Sequence, residues 1–163
     1  MSSKQAYRLL ITLTFTVVLS TGQSQTLKQE KMNQLNYMVG EWVGTSSSFE
    51  NGVKTKEVPA YEKISYDLDK HILVIELKSE SLQLHTIIYY DEQDSAYYYN
   101  PFSKRGARKL PAKFKDGQLV VSSGSDRRFI FRSPGENQFQ EYGEQLVNGQ
   151  WIRYFEDNFR NVE

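Results

Sequence analysis

Three dipeptides constrain the fold of this chain more than any other feature: Asn51-Gly52, Asp116-Gly117 and Asn148-Gly149. Asn-Gly and Asp-Gly favour type I′ turns, because both central residues of that turn need positive φ, and such turns join adjacent antiparallel strands. The segments around them are rich in residues with high β propensity, and the chain has 11 Tyr and 9 Phe. The pattern therefore predicts an antiparallel β meander with short hairpins.

Strand signals continue from residue 41 almost to the end of the chain. They predict strands over residues 41–49, 53–66, 71–78, 82–91, 95–102, 107–115, 118–123, 127–132, 138–146 and 150–159. Pro59 lacks a backbone N–H, so the second segment is either one long bent strand or two strands. A meander of this length tends to close and remove its edges, so we expect an up-and-down barrel first and an open, curled sheet second.

Residues 27–38 form the one good helix candidate, with a roughly helical stripe of Leu27, Met32, Leu35 and Met38 that ends at Gly40. No internal repeat, linker or second domain is visible. The sequence therefore predicts an all-β domain over residues 23–163 that begins with a short helix.

The N-terminus has the order of a secretory signal peptide. Lys4 and Arg8 precede the uncharged apolar residues 9–19, and the small polar segment 20–22 follows. These 11 apolar residues are fewer than the roughly 20 that a membrane-spanning helix needs, and an amphipathic or buried helix is the other reading. We predict that residues 1–22 are removed and that the protein is secreted or periplasmic.

Charge and cysteine content exclude several classes of function. Removing residues 1–22 takes away two positive charges and no negative charge, so the formal net charge goes from 0 to −2. Nucleic acid and anionic membranes are therefore not expected partners. The chain has no cysteine, which excludes disulfides and thiol chemistry. Its oligomeric state is left open.

Residues 35–44 (LNYMVGEWVG) resemble the calycin group, which comprises lipocalins and lipocalin-like bacterial families. The resemblance rests on a short helix followed by Gly40-Glu41-Trp42, and Gly44 extends it to the Gly-x-Trp-x-Gly of nitrobindin-like haem-binding barrels. It implies a barrel with a cavity, in which Arg153, or alternatively Arg160, packs over Trp42.

Two family features are missing from the chain. The Thr-Asp-Tyr motif of lipocalins is absent, and so is the C-terminal histidine that haem-binding barrels use as the iron ligand, because the last histidine is His85. The resemblance therefore does not support haem by that route, and no cofactor is predicted.

The C-terminal hairpin supplies the first group of candidate site residues. A two-residue turn at Asn148-Gly149 places Glu144 opposite Arg153, with Leu146, Trp151, Tyr142 and Phe155 on the same side. This side is predicted to face inward because it is mostly apolar. The Glu–Arg pair is then either a structural ion pair or a polar anchor for a ligand.

Tyrosines on two adjacent strands supply the second group, at residues 89–90 and 97–99. We expect Tyr to stack on Tyr across the strands, either as ordinary packing or as the lining of a cavity. The complete set of predicted interior ligand-binding residues is Trp42, Tyr89, Tyr97, Tyr99, Phe129, Phe131, Tyr142, Glu144, Arg153 and Phe155.

Signals for catalysis or metal binding are weak. His71 and His85 are the only histidines and are expected to be structural, since zinc typically needs three or four protein ligands. Residues 104–109 carry four positive charges and are predicted to be a solvated loop that could also attract an acidic ligand. Enzyme motifs are absent, and Glu76, Asp67 and Asp69 are only scattered carboxylates.

The sequence is compatible with three functions. The preferred hypothesis is a secreted barrel that binds a small apolar ligand in its interior. The alternatives are a non-enzymatic interaction or envelope-associated module with a filled barrel, and an enzyme on a calycin-like barrel. Exposed Tyr97 and Tyr99 would favour the interaction module, whereas a cavity carboxylate beside a histidine would favour the enzyme.

Overall fold

Antiparallel strands dominate the computed structural model, which describes residues 26–80 and 82–162. The segment interpreted as a signal peptide, residues 1–22, lies outside this range. Helix α1 covers Leu27–Asn33, and a 3-10 helix covers Asn36–Met38. The strands are β1 Gly40–Glu50, β2 Val53–Asp67, β3 Ile72–Ser79, β4 Gln83–Asp91, β5 Ala96–Ser103, β6 Gly106–Ala107, β7 Leu110–Lys115, β8 Gln118–Ser122, β9 Arg127–Gly135, β10 Gln138–Val147 and β11 Gln150–Asn161.

The strands form one closed barrel, which confirms the predicted all-β up-and-down fold with a short N-terminal helix. Each strand pairs with its neighbour in sequence, except that β5 pairs with β7 as well as with the two-residue strand β6. Pairing of β1 with β11 links the first and last strands, and pairing of β4 with β5 completes the ring. The barrel is compatible with a lipocalin-like architecture.

The three predicted hairpin turns are present. Each Asn-Gly or Asp-Gly pair has positive φ at both residues, with 51° and 79° at Asn51 and Gly52 and 51° and 81° at Asn148 and Gly149. Pro59 does not divide β2, which is a single strand of 15 residues. The β2–β3 ladder begins at Ala60, so Pro59 pairs only with β1 and lies where β2 has one neighbour.

One end of the barrel, called here the closed end, is covered by α1 and the 3-10 helix. Thr26 and Gln29 form a capping box that starts α1. The hydroxyl of Tyr97 donates to the carbonyl of Lys31 at 2.7 Å, and the hydroxyl of Tyr37 donates to the carbonyl of Phe131 at 2.8 Å. These bonds hold both helices against the strands.

The opposite end, called here the open end, carries the turn after β1, the loop between β3 and β4, the basic loop around β6 and the β10–β11 turn. No helix of the described chain covers it. The most completely buried side chains include Met32, Leu35, Met38 and Phe139. Three of these four belong to the helical segment, so the core at the closed end is densely packed.

Candidate functional site

A cavity of about 190 Å³ occupies the interior of the barrel toward the open end. Its apolar wall includes Leu77, Leu84, Leu110, Phe129 and Phe155, and its polar groups are Tyr99, Arg108, Glu141 and Asp157. Leu82, which also borders it, is 45% exposed. The cavity therefore reaches solvent at the open end and is bounded on the other side by the packed core.

Three carboxyl groups, Glu62, Glu141 and Asp157, form a cluster inside the barrel that we call the carboxyl cluster. Glu141 on β10 and Asp157 on β11 are directly opposite each other, and both border the cavity. Glu62 on β2 lies between Trp42 and Leu77 in the adjoining ladders. The three side chains are 1%, 7% and 3% exposed, in sequence order, so the cluster is almost completely withdrawn from water.

Burial changes the ionisation of the carboxyl cluster. Loss of solvation raises the pKa of Glu62 and of Glu141 well above the ordinary value, and the charges of the neighbouring carboxyls raise both further. Burial also raises the pKa of Asp157, although hydrogen bonds with Glu141 and Ser46 oppose this rise. The protonated forms are therefore favoured at pH values where exposed carboxyls are ionised.

The carboxyl cluster has no cationic partner. Within residues 26–80 and 82–162, no lysine, arginine or histidine forms an ion pair with any of its three members. Two of its buried oxygens, Oε2 of Glu62 and Oδ1 of Asp157, make no hydrogen bond. Arg108 also borders the cavity, but its Nη2 donates to the hydroxyl of Ser123 at 2.9 Å.

Tyr99 extends the polar side of the cavity. Its side chain is 7% exposed, and the hydroxyl of Thr86 donates to its oxygen at 3.4 Å. Burial raises the pKa of Tyr99, and the nearby charges of Glu141, Glu62 and Asp157 raise it further. Tyr99 therefore stays neutral and presents a hydroxyl within the electrostatic field of all three carboxyls.

Four of the predicted site residues border the cavity: Tyr99, Phe129, Phe131 and Phe155. Two others lie in the core. Trp42 is 3% exposed, packs on Phe139 with ring centroids 5.4 Å apart and donates from Nε1 to the carbonyl of Met38 at 2.8 Å. Tyr97 is 4% exposed and bonds to α1 at the closed end.

The predicted stacking of tyrosines across β4 and β5 is confirmed, but its two pairs lie on opposite faces. Tyr90 and Tyr97 stack inside the barrel with ring centroids 5.1 Å apart. Tyr89 and Tyr98 stack outside at 5.6 Å, where the ammonium of Lys109 lies 3.8 Å from the centre of the Tyr98 ring. Tyr89 was predicted to face inward, and that orientation is wrong because its neighbour Tyr90 occupies the inner face.

The predicted inward ion pair between Glu144 and Arg153 is also wrong, although the two residues are opposite each other as expected. Glu144 pairs with Arg128 at 2.7 Å, whereas Arg153 pairs with Glu156. The guanidinium of Arg153 lies 3.9 Å from the centre of the Tyr142 ring. Tyr142, Glu144 and Arg153 therefore form part of the outer surface, because the preceding residue Glu141 faces the cavity.

A β-bulge explains why Phe155 and Tyr142, predicted to share one face, lie on opposite faces. Glu144 is opposite Arg153, but Gly143 is opposite Phe155, so Tyr154 is an extra residue in β11. An extra residue reverses the inward and outward phase beyond it. Phe155 consequently lies inside while Tyr142, its predicted partner, lies outside. A side chain at Gly143 is excluded, since a Cβ there would lie 2.3 Å from the Phe155 ring.

The contact between Trp42 and Arg153 implied by the calycin resemblance is absent. Trp42 pairs with Asn161 near the end of β11, whereas Arg153 lies eight positions earlier, close to the β10–β11 turn. The alternative, Arg160, is opposite Val43, the outward neighbour of Trp42. Alternation of side chains directs Arg160 away from the indole.

The histidines lie apart from the carboxyl cluster. Nδ1 of His71 is 2.7 Å from the carbonyl oxygen of Leu68 in the loop after β2. His85 is exposed on β4 and borders a second, open groove of about 400 Å³ beside the loop between β3 and β4. In the described part of the chain, no three acidic or histidine side chains are placed to hold a metal ion. No described helix has the length and hydropathy of a membrane span.

The sequence matches no protein-family model, and no curated protein has significant similarity to it.

The carboxyl cluster was not predicted from the sequence, although the sequence contains a pattern that indicates it. Each member is in phase with apolar residues on its own strand: Glu62 with Ile64, Glu141 with Phe139, and Asp157 with Phe159. In a strand with alternating sides, an acid in phase with buried residues is a candidate for burial. The signal was hidden on β10 because both faces of that strand carry aromatic residues.

Proposed function

We propose that this protein binds a small, mainly apolar molecule inside its barrel. The observation that carries the proposal is the cavity at the open end, where Leu and Phe side chains surround a space of about 190 Å³. Cavities of roughly 150 Å³ in protein cores hold benzene, whereas drug-sized ligands need about 300 Å³ or more. The size therefore suits a single ring with a short substituent.

Access to the cavity supports the same proposal. The helices cover only the closed end, so a ligand can enter at the open end without separating strands. Leu77 and Leu84 border both the cavity and the neighbouring open groove, which gives a ligand a continuous apolar path. Binding here would need no rearrangement of the hydrogen-bonded barrel.

Export is part of the proposal. Residues 1–22 have the signal-peptide order described above, and a secreted or periplasmic barrel would meet its ligand outside the cytoplasm. N-terminal sequencing of protein exported by its native host should start near Gln23. Recovery of the intact Met1 form from the membrane fraction would contradict export.

The two alternative functions receive less support. The interaction module was expected to expose Tyr97 and Tyr99, but these side chains are only 4% and 7% exposed. The enzyme was expected to place a carboxylate beside a histidine in a cavity. Glu141 and Asp157 do border the cavity, but His85 lies on the outside of β4.

A cavity-filling variant tests the proposal. Leu84→Trp enlarges a side chain that borders the cavity and is partly open to solvent, so it can occupy the space without disrupting the core. We expect wild-type protein to bind n-propylbenzene, detected by NMR chemical-shift changes, and Leu84→Trp to weaken that binding at least tenfold. Native mass spectrometry of protein from the native host should also find a co-purified small molecule.

Val43→Trp is the matched control, because it adds the same indole to an exposed position on the outer face of β1. It should bind n-propylbenzene with unchanged affinity. Equal binding by Leu84→Trp and wild type would place the ligand elsewhere and overturn the proposal.

A further inference from the structure

The polar side of the cavity is acidic, and no basic side chain in the described part of the chain forms an ion pair with its carboxyls. Asp157 and Glu141 border the cavity, Glu62 lies within their electrostatic field, and one oxygen each of Asp157 and Glu62 lacks a hydrogen bond. Buried polar atoms in folded proteins nearly always have partners, so an exception needs an explanation. Here the oxygen without a partner, Oδ1 of Asp157, belongs to a residue that borders a cavity open to a ligand.

A structural role explains the carboxyl cluster poorly. Buried carboxyls are normally retained with a basic partner, as a metal site, or with hydrogen bonds to all their oxygens. The described residues provide neither a basic partner nor a metal-binding arrangement. Apolar side chains in the same three positions would pack without this cost. Among residues 26–80 and 82–162, the free oxygen of Asp157 therefore has no partner, and the cavity gives a ligand access to this residue.

We infer that the ligand of this barrel carries a protonated amine on its apolar body, and that Asp157 and Glu141 receive the ammonium group. This inference rests on the proposed function, since it names the chemical class that the same cavity selects. An ammonium has three N–H donors and a positive charge, which match the unpartnered oxygen of Asp157 and the excess of acids. The cavity volume favours an arylalkylamine or a short alkylamine.

All groups that face Asp157 are compatible with a cation bound beside it. Ser46 is opposite it on β1, Glu141 is opposite it on β10, and Glu62 and Tyr99 lie within its electrostatic reach. None of these groups is positively charged. Arg108 is the one cation that borders the cavity, but it is exposed to solvent, which screens its charge, and its guanidinium is bound to Ser123.

Binding of an ammonium should release protons. Burial raises the pKa of each member of the carboxyl cluster, so the empty site holds protons that ordinary carboxyls would have lost. An ammonium favours the ionised carboxylate and displaces such a proton to solvent. A neutral ligand in the same cavity has no reason to do so. Proton release is therefore a signature of the inferred contact and not of apolar binding alone.

Four phenylalkyl probes test the inference by isothermal titration calorimetry at pH 7.5: phenethylamine, 2-phenylethanol and n-propylbenzene, which are matched in size, and the slightly larger 3-phenylpropanoate. We expect phenethylamine to bind at least tenfold more tightly than either neutral probe. Titrations in phosphate and in Tris, which have different ionisation enthalpies, should show net proton release with the amine only.

Asp157→Asn and Glu141→Gln should each bring the ratio of phenethylamine affinity to n-propylbenzene affinity, measured on the same variant, close to one. Both variants resemble the neutral, protonated side chains in shape, so the fold should be retained. Glu144→Gln is the matched control, because Glu144 is on the outer surface and pairs with Arg128. It should leave all four affinities unchanged.

The other outcomes separate the two proposals. Neutral probes that bind as tightly as the amine would overturn this inference and leave the binding barrel standing. Tightest binding of 3-phenylpropanoate would overturn it in favour of Arg108 as the anchor. An amine preference that survives in both Asp157→Asn and Glu141→Gln would also overturn it. No binding of any probe at millimolar concentration would overturn both proposals.

Discussion

At the scale of single residues, the carboxyl cluster is the least expected feature of this barrel. Each member is less than a tenth exposed, and none forms an ion pair with a basic side chain of the described residues. The energetic cost is limited because a buried carboxyl can remain protonated, which exchanges the large penalty of a buried charge for a smaller dependence of stability on pH.

Glu62→Gln tests that dependence. Burial raises the pKa of Glu62 in the folded protein, so the folded protein keeps a proton that the unfolded chain loses above about pH 4.5. The free energy of unfolding therefore falls as the pH rises from about 4.5 through the raised pKa. Glutamine does not titrate. We expect the variant to be more stable than wild type at pH 8 by about 1–3 kcal/mol, and the difference to be smaller at pH 5. Urea unfolding at both pH values measures it.

Glu144→Gln provides the control for this effect, because Glu144 is paired with Arg128 on the outer surface. It should give no gain in stability at pH 8. A wild-type protein whose free energy of unfolding increases from pH 5 to pH 8 by more than that of Glu62→Gln would contradict a protonated Glu62.

Gly44 allows β1 and β11 to approach closely where the barrel closes. A Cβ at this position would lie 1.9 Å from the carbonyl oxygen of Asn158, and that oxygen belongs to backbone and cannot rotate away. We expect Gly44→Ala to lower the free energy of unfolding by about 2–4 kcal/mol.

The control for Gly44 is Gly135→Ala, where an added Cβ meets only side-chain atoms of Gln138 at 3.6 Å or more. It should change stability by less than about 0.5 kcal/mol. Thermal and urea unfolding of both variants give the comparison, and similar effects of the two substitutions would show that close approach of β1 and β11 is unimportant.

At the scale of elements, hairpins with short turns were predictable and the faces of the last hairpin were not. Asn148-Gly149 correctly predicted Glu144 opposite Arg153, because a type I′ turn determines the pairing close to it. Beyond the bulge at Tyr154 the predicted register failed. A bulge depends on crowding between strands, here of Tyr154 and Phe155 over Gly143, and no local sequence pattern specifies it.

The same limit applies to the candidate site. Phe129, Phe131 and Phe155 were predictable because apolar aromatics on strands pack inward. Asp157 is in phase with Phe155 and could have been predicted on the same ground. Glu141 could not, because both faces of β10 carry aromatic residues and recognising a buried acid there requires knowing which face points inward. That information comes from closure of the whole barrel and not from that strand alone.

The ion pairs on the outer face of β9, β10 and β11 test the bulged register of the last hairpin. Glu144 and Arg128 are in contact, whereas Arg153 packs on Tyr142 and pairs with Glu156. A double-mutant cycle of Arg128→Met and Glu144→Gln should give a coupling free energy of about 0.5–1 kcal/mol. The cycle of Arg153→Met and Glu144→Gln should give a value close to zero. Stronger coupling in the second cycle would contradict the bulged register.

At the scale of the whole molecule, the two ends of the barrel perform different tasks. The closed end holds Met32, Leu35 and Met38 with no exposed surface, beneath helices that are hydrogen-bonded to the strands. The open end holds the cavity and the carboxyl cluster. A protein arranged in this way can maintain an energetically unfavourable cavity because a packed core elsewhere supplies its stability.

Truncation at each end separates these tasks. Met32→Ala removes a completely buried side chain and should lower the free energy of unfolding by about 2–5 kcal/mol, while n-propylbenzene affinity stays within about twofold of wild type. Leu84 is partly exposed at the edge of the cavity, so Leu84→Ala should lower the free energy of unfolding by only about 1–2 kcal/mol but weaken n-propylbenzene binding at least fivefold. Urea unfolding and NMR titration measure the two quantities on the same samples. If Met32→Ala altered binding as much as Leu84→Ala, the two ends would be coupled, and the closed end could not be regarded as a scaffold independent of the site.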